Sequence, residues 1–190
     1  MKDILIIGGP NGAGKTTAAF AIVPRELGIR EFVNADEIAR GLSPFNAEQV
    51  AIAAGRLMIE RIQTLVSGGE SFAFETTCAG RGHIAWLKRC KTVGWRITLL
   101  FLWLPSPQAA LDRVARRVQL GGHNVPRDVV IRRYRAGLTN MRDLYLPLAD
   151  VAAIYDNSDT GPTLIAERTP AAPLAVYDPA RWQMIQRASP

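Results

Sequence analysis

The chain has 190 residues, 48% of them hydrophobic and 21% charged, which is typical of a globular protein large enough for one domain with its own core. No apolar run approaches the roughly 18 residues of a membrane span, and we expect no signal peptide after Met1. The 23 Lys and Arg residues against 17 Asp and Glu give a net charge of +6, and two cysteines without metal-ligand spacing favour free thiols.

The first element is a short apolar run that leads into a glycine-rich loop. Residues 4–7 (Ile-Leu-Ile-Ile) are typical of a buried parallel strand. Residues 8–17, GGPNGAGKTT, fit the Gly-x-x-x-x-Gly-Lys-Ser/Thr pattern of a phosphate-binding loop. Residues 16–23 predict the helix behind the loop, which we expect Pro24 to stop. Strand, loop and helix in this order predict a nucleoside-triphosphate site, and a nucleotide enzyme is expected in the reducing cytoplasm.

The loop glycines permit backbone conformations that are closed to other residues, so that successive N–H groups converge on one anion. The positive end of the following helix adds to this attraction. Lys15 is expected to reach the β- and γ-phosphates of ATP, and the Thr16 hydroxyl is expected to help hold Mg²⁺. The residues predicted to bind the nucleotide here are Gly9, Pro10, Asn11, Gly12, Ala13, Gly14, Lys15, Thr16 and Thr17.

The rest of the chain alternates apolar strands with helices. The predicted strands are residues 31–34, 71–77, 96–104 and 151–155. The predicted helices are a turn at 35–40, then 47–66 (capped by Asn46), 83–93, 107–120 and 127–142, and the tail predicts a hairpin, 163–168 with 174–177, and a helix, 179–187. This pattern predicts an α/β fold of the P-loop NTPase type: a three-layer sandwich in one domain, residues 1–190, with a mostly parallel sheet, residues 96–104 at its centre and helices on both faces.

The segment from Asp112 to Arg142 carries eight arginines and two aspartates, so its net charge of +6 equals that of the whole chain. Such a cluster can bind nucleic acid, face the phosphates of a nucleotide, or form a solvated helix face. Two helices joined by residues 121–126, in which His123 is expected to be a turn residue, predict an Arg-rich helical lid at about 105–145.

Within this predicted lid we expect Val114 and Val118 to face the core. Arg117 and Arg133 are then the predicted phosphate ligands and catalytic cations. The arginines expected on the exposed side of the second helix are Arg132, Arg135 and Arg142.

Polar residues follow two of the predicted strands, at the edge where a parallel sheet binds its ligand. Asp36 is the predicted catalytic base; its alternative role is a helix N-cap. Glu75 is predicted to bind the acceptor or a metal-bound water, or is an ordinary strand-end residue. The other residues predicted to bind the acceptor substrate are Asn34, Thr76 and Thr77, and Asn157, after the last parallel strand, is predicted to touch the nucleotide.

Together these blocks resemble the zeta-toxin family of small P-loop kinases. The resemblance rests on GGPNGAGKTT, FVNADEIARGLSPFN, SFAFETT, RVQLGGHNVPRDVVIRRYRAGL and ADVAAIYDNS, between residue 4 and about 160. It implies phosphorylation of UDP-N-acetylglucosamine with ATP and Mg²⁺, Asp36 as the base, Glu75 at the acceptor site and lid arginines on the transferred phosphate. It also implies an antitoxin protein as a partner.

Other readings compete with this one. The loop resembles that of transporter ATPases, and residues 67–70 (Ser-Gly-Gly-Glu) mimic part of their signature, but a strand follows where that class needs a helix, and residues 99–104 run into Pro105 instead of Asp-Glu. A nucleic-acid-binding ATPase or RNA-end kinase would use the arginine segment, although nucleic acid is the less favoured partner. A regulator that binds nucleotide without turnover is the last alternative, and no membrane partner is expected.

Overall fold

The computed structural model describes residues 2–26, 28–122, 124–159 and 161–188. Seven strands form one sheet in the order β2-β3-β1-β4-β5-β6-β7. The strands are β1 (Asp3–Gly8), β2 (Glu31–Val33), β3 (Phe72–Thr76), β4 (Arg96–Trp103), β5 (Val151–Asp156), β6 (Thr163–Thr169) and β7 (Ala172–Val176). The first five strands are parallel to one another, and β6 and β7 add an antiparallel hairpin beside β5, as the sequence predicts.

Eight α-helices occur among the described residues. They are α1 (Lys15–Glu26), α2 (Ala35–Leu42), α3 (Ala51–Gly68), α4 (Gly82–Thr92), α5 (Pro107–Gln119), α6 (Arg127–Asn140), α7 (Leu146–Leu148) and α8 (Pro179–Arg187). A π-helical turn, Met141–Tyr145, joins α6 to α7. None of these helices has the length and apolar character needed to cross a bilayer.

The sheet has helices on both faces because β1 is apolar on both. Ile4 and Ile6 lie in the larger cluster of buried side chains, which covers one face of the sheet. Leu5 and Ile7 point the other way, into a smaller cluster with Ala19 of α1. β4, the most hydrophobic strand, is the fourth of the seven. The predicted α/β three-layer sandwich with a mostly parallel sheet is therefore confirmed.

Several element boundaries differ from the prediction by a few residues, and three of these differences bear on the ends of helices. Pro24 does not stop α1, which continues to Glu26, because a proline one turn before the end removes one hydrogen bond from a helix that is already finishing. Asn46 does not cap α3, because residues 46–51 form successive turns closed by hydrogen bonds between residues three apart, and the helix begins only at Ala51. The second lid helix was predicted to reach residue 142, but its α-helical part ends at Asn140.

One predicted core position is also wrong. Val118 of α5 is 38% exposed, while Val114 is buried as predicted. Val118 lies beside the row of α5 residues that packs into the core, and helical spacing alone does not show which row that is. His123 lies outside the described residues.

Candidate active site

The loop between β1 and α1 has the backbone shape that an anion site requires. Gly9, Gly12 and Gly14 have φ angles of 145°, 79° and 82°, a region that residues with a side chain rarely adopt. A Cβ on Gly9 would lie 2.3 Å from the backbone oxygen of Leu102, and one on Gly12 would lie 2.7 Å from Cβ of Arg113. The loop is therefore held tightly between β4 and α5, the first helix of the predicted lid.

Lys15, the lysine of the loop, is folded back onto the loop itself. Its Nζ donates to the backbone oxygen of Pro10 at 2.9 Å and lies 3.5 Å from Oε1 of Glu75. Only 6% of the side chain is exposed, so the ammonium group is kept in place by these two oxygens. A phosphate entering the loop offers the same ammonium group stronger, doubly charged acceptors.

Thr16, Asn34 and Glu75 form a compact hydrogen-bonded group beside this lysine. Thr16 Oγ1 donates to Glu75 Oε2 at 2.7 Å, and Asn34 Nδ2 donates to the same oxygen at 2.8 Å. The oxygens of Thr16 and Glu75 are of the hard type that Mg²⁺ prefers. Among the described residues no cluster of three or more His, Cys, Asp and Glu side chains could hold a metal by itself. The residues fit an ion that takes few protein ligands and completes its shell with phosphates and water.

Asn34 also starts the helix that carries Asp36. Its Oδ1 accepts hydrogen bonds from the backbone N–H groups of Asp36 and Glu37, at 2.8 and 3.3 Å. Asn34 is therefore the N-cap of α2, and the alternative role of Asp36 as an N-cap is wrong. The same side chain joins the start of α2 to Glu75, so Asp36 is placed relative to the phosphate-binding loop.

A cavity of about 520 Å³ lies beyond the carboxyl ends of β1, β2 and β3. It brings together ten of the residues predicted from the sequence: Asn11, Gly12, Lys15, Asn34, Asp36, Glu75, Thr76, Thr77, Arg117 and Arg133. The other predicted residues are not among those that line it: Gly9, Pro10, Ala13, Gly14, Thr16, Thr17 and Asn157. Most of these build the loop behind the cavity, and the exposed Thr17 lies on α1.

Asn157 acts on the loop from behind. Its Nδ2 donates to the backbone oxygen of Ala13 at 2.8 Å, and its own N–H donates to the backbone of Trp103. Thr76 and Thr77 shape the turn after β3, because their hydroxyl oxygens accept from the N–H groups of Cys78 and Ala79. These three side chains support backbone segments that border the cavity.

The turn after β3 is itself held by the helix that closes the predicted lid. A Cβ on Gly137 of α6 would lie 2.4 Å from the backbone oxygen of Thr77. Asn140 donates to the backbone oxygens of Cys78 and Ala79, both at 2.9 Å, and Tyr145 donates to that of Gly80. The base of α6 and the π-helical turn are therefore fixed to the floor of the cavity.

The lid arginines divide into inward and outward groups. Arg117 and Arg133 line the cavity, and so does Arg132, which is exposed as predicted and also reaches the cavity. A long arginine side chain at the edge of the inner face can reach over a cavity that the helix crosses. Arg113 anchors α5, since it donates to the backbone oxygens of Asn157 and Ser158 at 2.9 and 2.6 Å.

Several cavity residues were not singled out from the sequence. Four alanines, Ala35 and Ala39 of α2 and Ala47 and Ala51 before and in α3, form a small-residue wall. Each pair is spaced four residues apart, a signal that is visible in the sequence once a cavity is expected there. His83 of α4 also lines the cavity, and no local sequence pattern identifies it.

Comparison with known proteins gives matches to toxins and kinases. The model of the family described as Zeta toxin matches residues 1–164. An uncharacterized protein of Haemophilus influenzae is 29% identical over 126 residues, which cover 66% of this chain and 88% of that protein.

Two kinds of solved structure share the fold. A chain of the AvrRxo1-ORF1:AvrRxo1-ORF2 complex with sulphate ions superposes with a TM-score of 0.80 at 17% identity, covering 99% of this chain and 64% of that one. The same complex with ATP gives a TM-score of 0.79. A structure of the PezAT chromosomal toxin–antitoxin system of Streptococcus pneumoniae gives 0.63 at 17% identity, over 98% of this chain and 84% of that chain. The chain thus spans just under two thirds of the AvrRxo1 chain, and by the family match over residues 1–164 it belongs to the zeta toxin family.

Proposed function

We propose that this protein is a single-domain kinase that transfers the γ-phosphate of ATP to a hydroxyl group of a small acceptor. A nucleotide sugar such as UDP-N-acetylglucosamine is the proposed acceptor. The observation that carries the proposal is one cavity that is lined by the phosphate-loop lysine, two carboxylates and three lid arginines. Phosphoryl transfer needs this combination: a phosphate cradle, a proton acceptor and cations over the transferred group.

The nucleotide end of the cavity is the loop of residues 8–17. Its converging N–H groups and the amino end of α1 would bind the phosphates, with Lys15 released from Pro10 onto the β- and γ-phosphates. Thr16, with Glu75 through a water molecule, would hold Mg²⁺, which when bound neutralises charge on the phosphates. Asn157 keeps the loop in shape through Ala13.

The acceptor end lies between α2 and the turn after β3. In the proposed reaction the Asp36 carboxylate takes the proton of the acceptor hydroxyl while that oxygen forms a bond to the γ-phosphorus. The bond from this phosphorus to the oxygen bridging to the β-phosphate breaks, and ADP leaves with the electron pair. Arg117 and Arg133 would neutralise the charge of the phosphoryl group in transfer, and Thr76 and Thr77 would border the acceptor.

The placement of the arginines favours this reading over a nucleic-acid surface. Of the eight arginines in the segment, Arg117, Arg132 and Arg133 line the cavity, and Arg113 binds backbone oxygens beside the loop. Arg142 pairs with Asp143. A polyanion track would instead need a continuous exposed row, and its affinity would fall steeply with salt. RNA binding at physiological salt is therefore expected to be weak, and tight binding whose affinity falls steeply with salt would contradict this reading.

The transporter reading loses its support for a similar reason. Residues 67–70 end α3, with Gly69 in a left-handed conformation at the helix C-cap, and β3 follows directly. A transporter signature would have to begin a helix at this point. The proposed partner protein is an antitoxin, because the similar PezAT structure is described as a toxin–antitoxin system.

The test is transfer of labelled phosphate from ATP to a panel of nucleotide sugars. Asp36→Asn is expected to reduce kcat at least about 100-fold, the lower end for a general base, while ATP still binds. Glu37→Gln is the matched control, because Glu37 is the next residue on α2, does not line the cavity and pairs with Arg40. Equal activity of the Asp36 variant and the control would overturn the role of Asp36 as the base. No transfer to any sugar in the panel would overturn the proposed nucleotide-sugar acceptor.

A further inference from the structure

His83 is a cavity residue to which the proposed reaction gives no role. It lies in the first turn of α4 and lines the same cavity as Asp36 and Glu75. Its ring packs against Phe74, with centroids 5.0 Å apart, and stands edge-to-face with Trp86 at 5.9 Å. Two aromatic neighbours on different elements therefore fix the position of the imidazole.

The hydrogen bond to Trp86 determines where the imidazole carries its proton. Trp86 Nε1 lies 3.3 Å from His83 Nδ1. An indole N–H can only donate, so Nδ1 must be the accepting nitrogen of the pair. In a neutral imidazole the proton is then on Nε2, which has no hydrogen bond to any of the described residues.

The surroundings keep the ring neutral. Burial lowers the pKa of His83 below its ordinary value of 6.5, so the cationic form is disfavoured at neutral pH. The carboxylates of the cavity do not reverse this effect: Glu75 is already bonded to Thr16 and Asn34, and neither Glu75 nor Asp36 is hydrogen-bonded to His83. At pH 7 the cavity wall therefore contains an uncharged N–H donor with a fixed tautomer.

We propose that His83 is a specificity-determining residue of the acceptor site, where its Nε2–H donates to an uncharged oxygen of the acceptor, a hydroxyl or carbonyl group. The inference rests on the proposed kinase function. Because its Nδ1 lone pair is engaged by Trp86, His83 does not compete with Asp36 as a base. It adds selectivity, since an acceptor without that oxygen would leave the donor unpaired against the cavity wall.

Among the described residues, the remaining walls around the acceptor support an uncharged group at this point. The alanines of α2 and α3 and the turn after β3 contribute no cation, and the cationic side chains of the cavity come from the phosphate loop and the lid. Charged phosphates of an acceptor would be drawn toward the lid arginines, and the sugar hydroxyls and amide toward His83. A nucleotide sugar presents both kinds of group.

The experiment uses ATP with UDP-N-acetylglucosamine as the probe and compares three proteins. His83→Phe keeps the aromatic contacts and removes the donor, so KM for the sugar nucleotide should rise roughly 10-fold, the loss of one hydrogen bond, with kcat and KM for ATP nearly unchanged. His83→Gln restores an N–H donor of similar reach and should recover much of the loss. An unchanged KM in His83→Phe, or a fall confined to kcat, would overturn the role of His83. Transfer by the unaltered protein in the same assay would still support the proposed kinase function.

A second measurement does not depend on turnover. The ¹⁵N shifts of the His83 ring at pH 7 should show a neutral imidazole protonated at Nε2, and Trp86→Phe should release this tautomer preference. A ring protonated at Nδ1, or a cationic ring, would refute the inference even if no sugar in the panel is phosphorylated. In that case the failed transfer would count separately, against the proposed kinase function.

Discussion

Asn34 makes two kinds of hydrogen bond whose contributions can be tested without knowing the acceptor. Its Oδ1 caps α2 through the N–H groups of Asp36 and Glu37, and its Nδ2 donates to the carboxylate of Glu75 at 2.8 Å. Losing a cap costs about 1 kcal/mol, and losing a hydrogen bond to a charged acceptor costs about 2 kcal/mol. Asn34→Ala should therefore lower the free energy of unfolding by about 3 kcal/mol, since 4% exposure leaves little room for water to replace the amide.

Two further substitutions separate the contributions. Asn34→Ser keeps a capping oxygen but cannot reach Glu75, so it should cost about 2 kcal/mol. Ser106→Ala removes only a cap, the hydrogen bond from Ala109 N–H to Ser106 Oγ at 3.1 Å in the first turn of α5, and should cost about 1 kcal/mol.

Urea denaturation followed by tryptophan fluorescence measures all three changes. In a thermal scan, 3 kcal/mol corresponds to a fall in Tm of roughly 6–12 °C for a domain of this size. If Asn34→Ala costs no more than Ser106→Ala, the hydrogen bond to Glu75 adds no stability. Asn34 would then not join α2 to Glu75 in any way that stabilises the fold.

Three other predictions concern the fold around the site. Gly137→Ala should cost about 1–3 kcal/mol because its Cβ would lie 2.4 Å from a backbone oxygen, whereas Gly55→Ala, a helical glycine with nothing within 4 Å, should stabilise the protein by about 0.5–1 kcal/mol; urea titration distinguishes the two. Burial by itself raises the pKa of Asp150, but a backbone N–H and a lysine outweigh it and the net pKa is lowered. Asp150 therefore stabilises the fold above its unfolded pKa of about 3.9, and this stabilisation is lost as the pH falls through the lower folded value. In Asp150→Asn the free energy of unfolding should fall less steeply over this range of pH. Burial raises the pKa of Cys78 to about 12 and also raises that of Cys90, so a thiol reagent at pH 8 should find neither until denaturant is added; rapid labelling of the native protein would contradict their burial.

The sequence predicts the elements whose signals are local. The phosphate loop is identified by residue types at fixed spacing, and the parallel sheet follows from strands that are apolar on both faces, such as β1. The N-cap at Asn34 and the start of α3 are harder, because Asn34 and Asn46 are equally good capping residues in sequence. Within the part of the chain that the structure describes, only the side chain of Asn34 is held by a residue distant in sequence, Glu75.

The lid and His83 show where sequence reasoning stops. Helical spacing puts Arg133 on the inner side of α6, where it lines the cavity, but it does not show that the exposed Arg132 reaches the cavity too. The position of the cavity depends on how the helix crosses the sheet. Arg113 lies beside Arg117 in the pattern and yet binds backbone oxygens after β5, about 45 residues later. His83 enters the site only because α4 packs against Phe74. Such long-range contacts leave no periodic trace in the chain.

The two outermost strands give the sheet a property unrelated to catalysis. β2, at one border, has only three residues, and β7, at the other, contains Pro173, which has no N–H to offer a neighbouring chain. Neither border presents a long row of open backbone donors and acceptors, the feature through which proteins add strands to one another. Concentrated preparations of this protein should consequently resist sheet extension and the fibrous aggregation that it leads to.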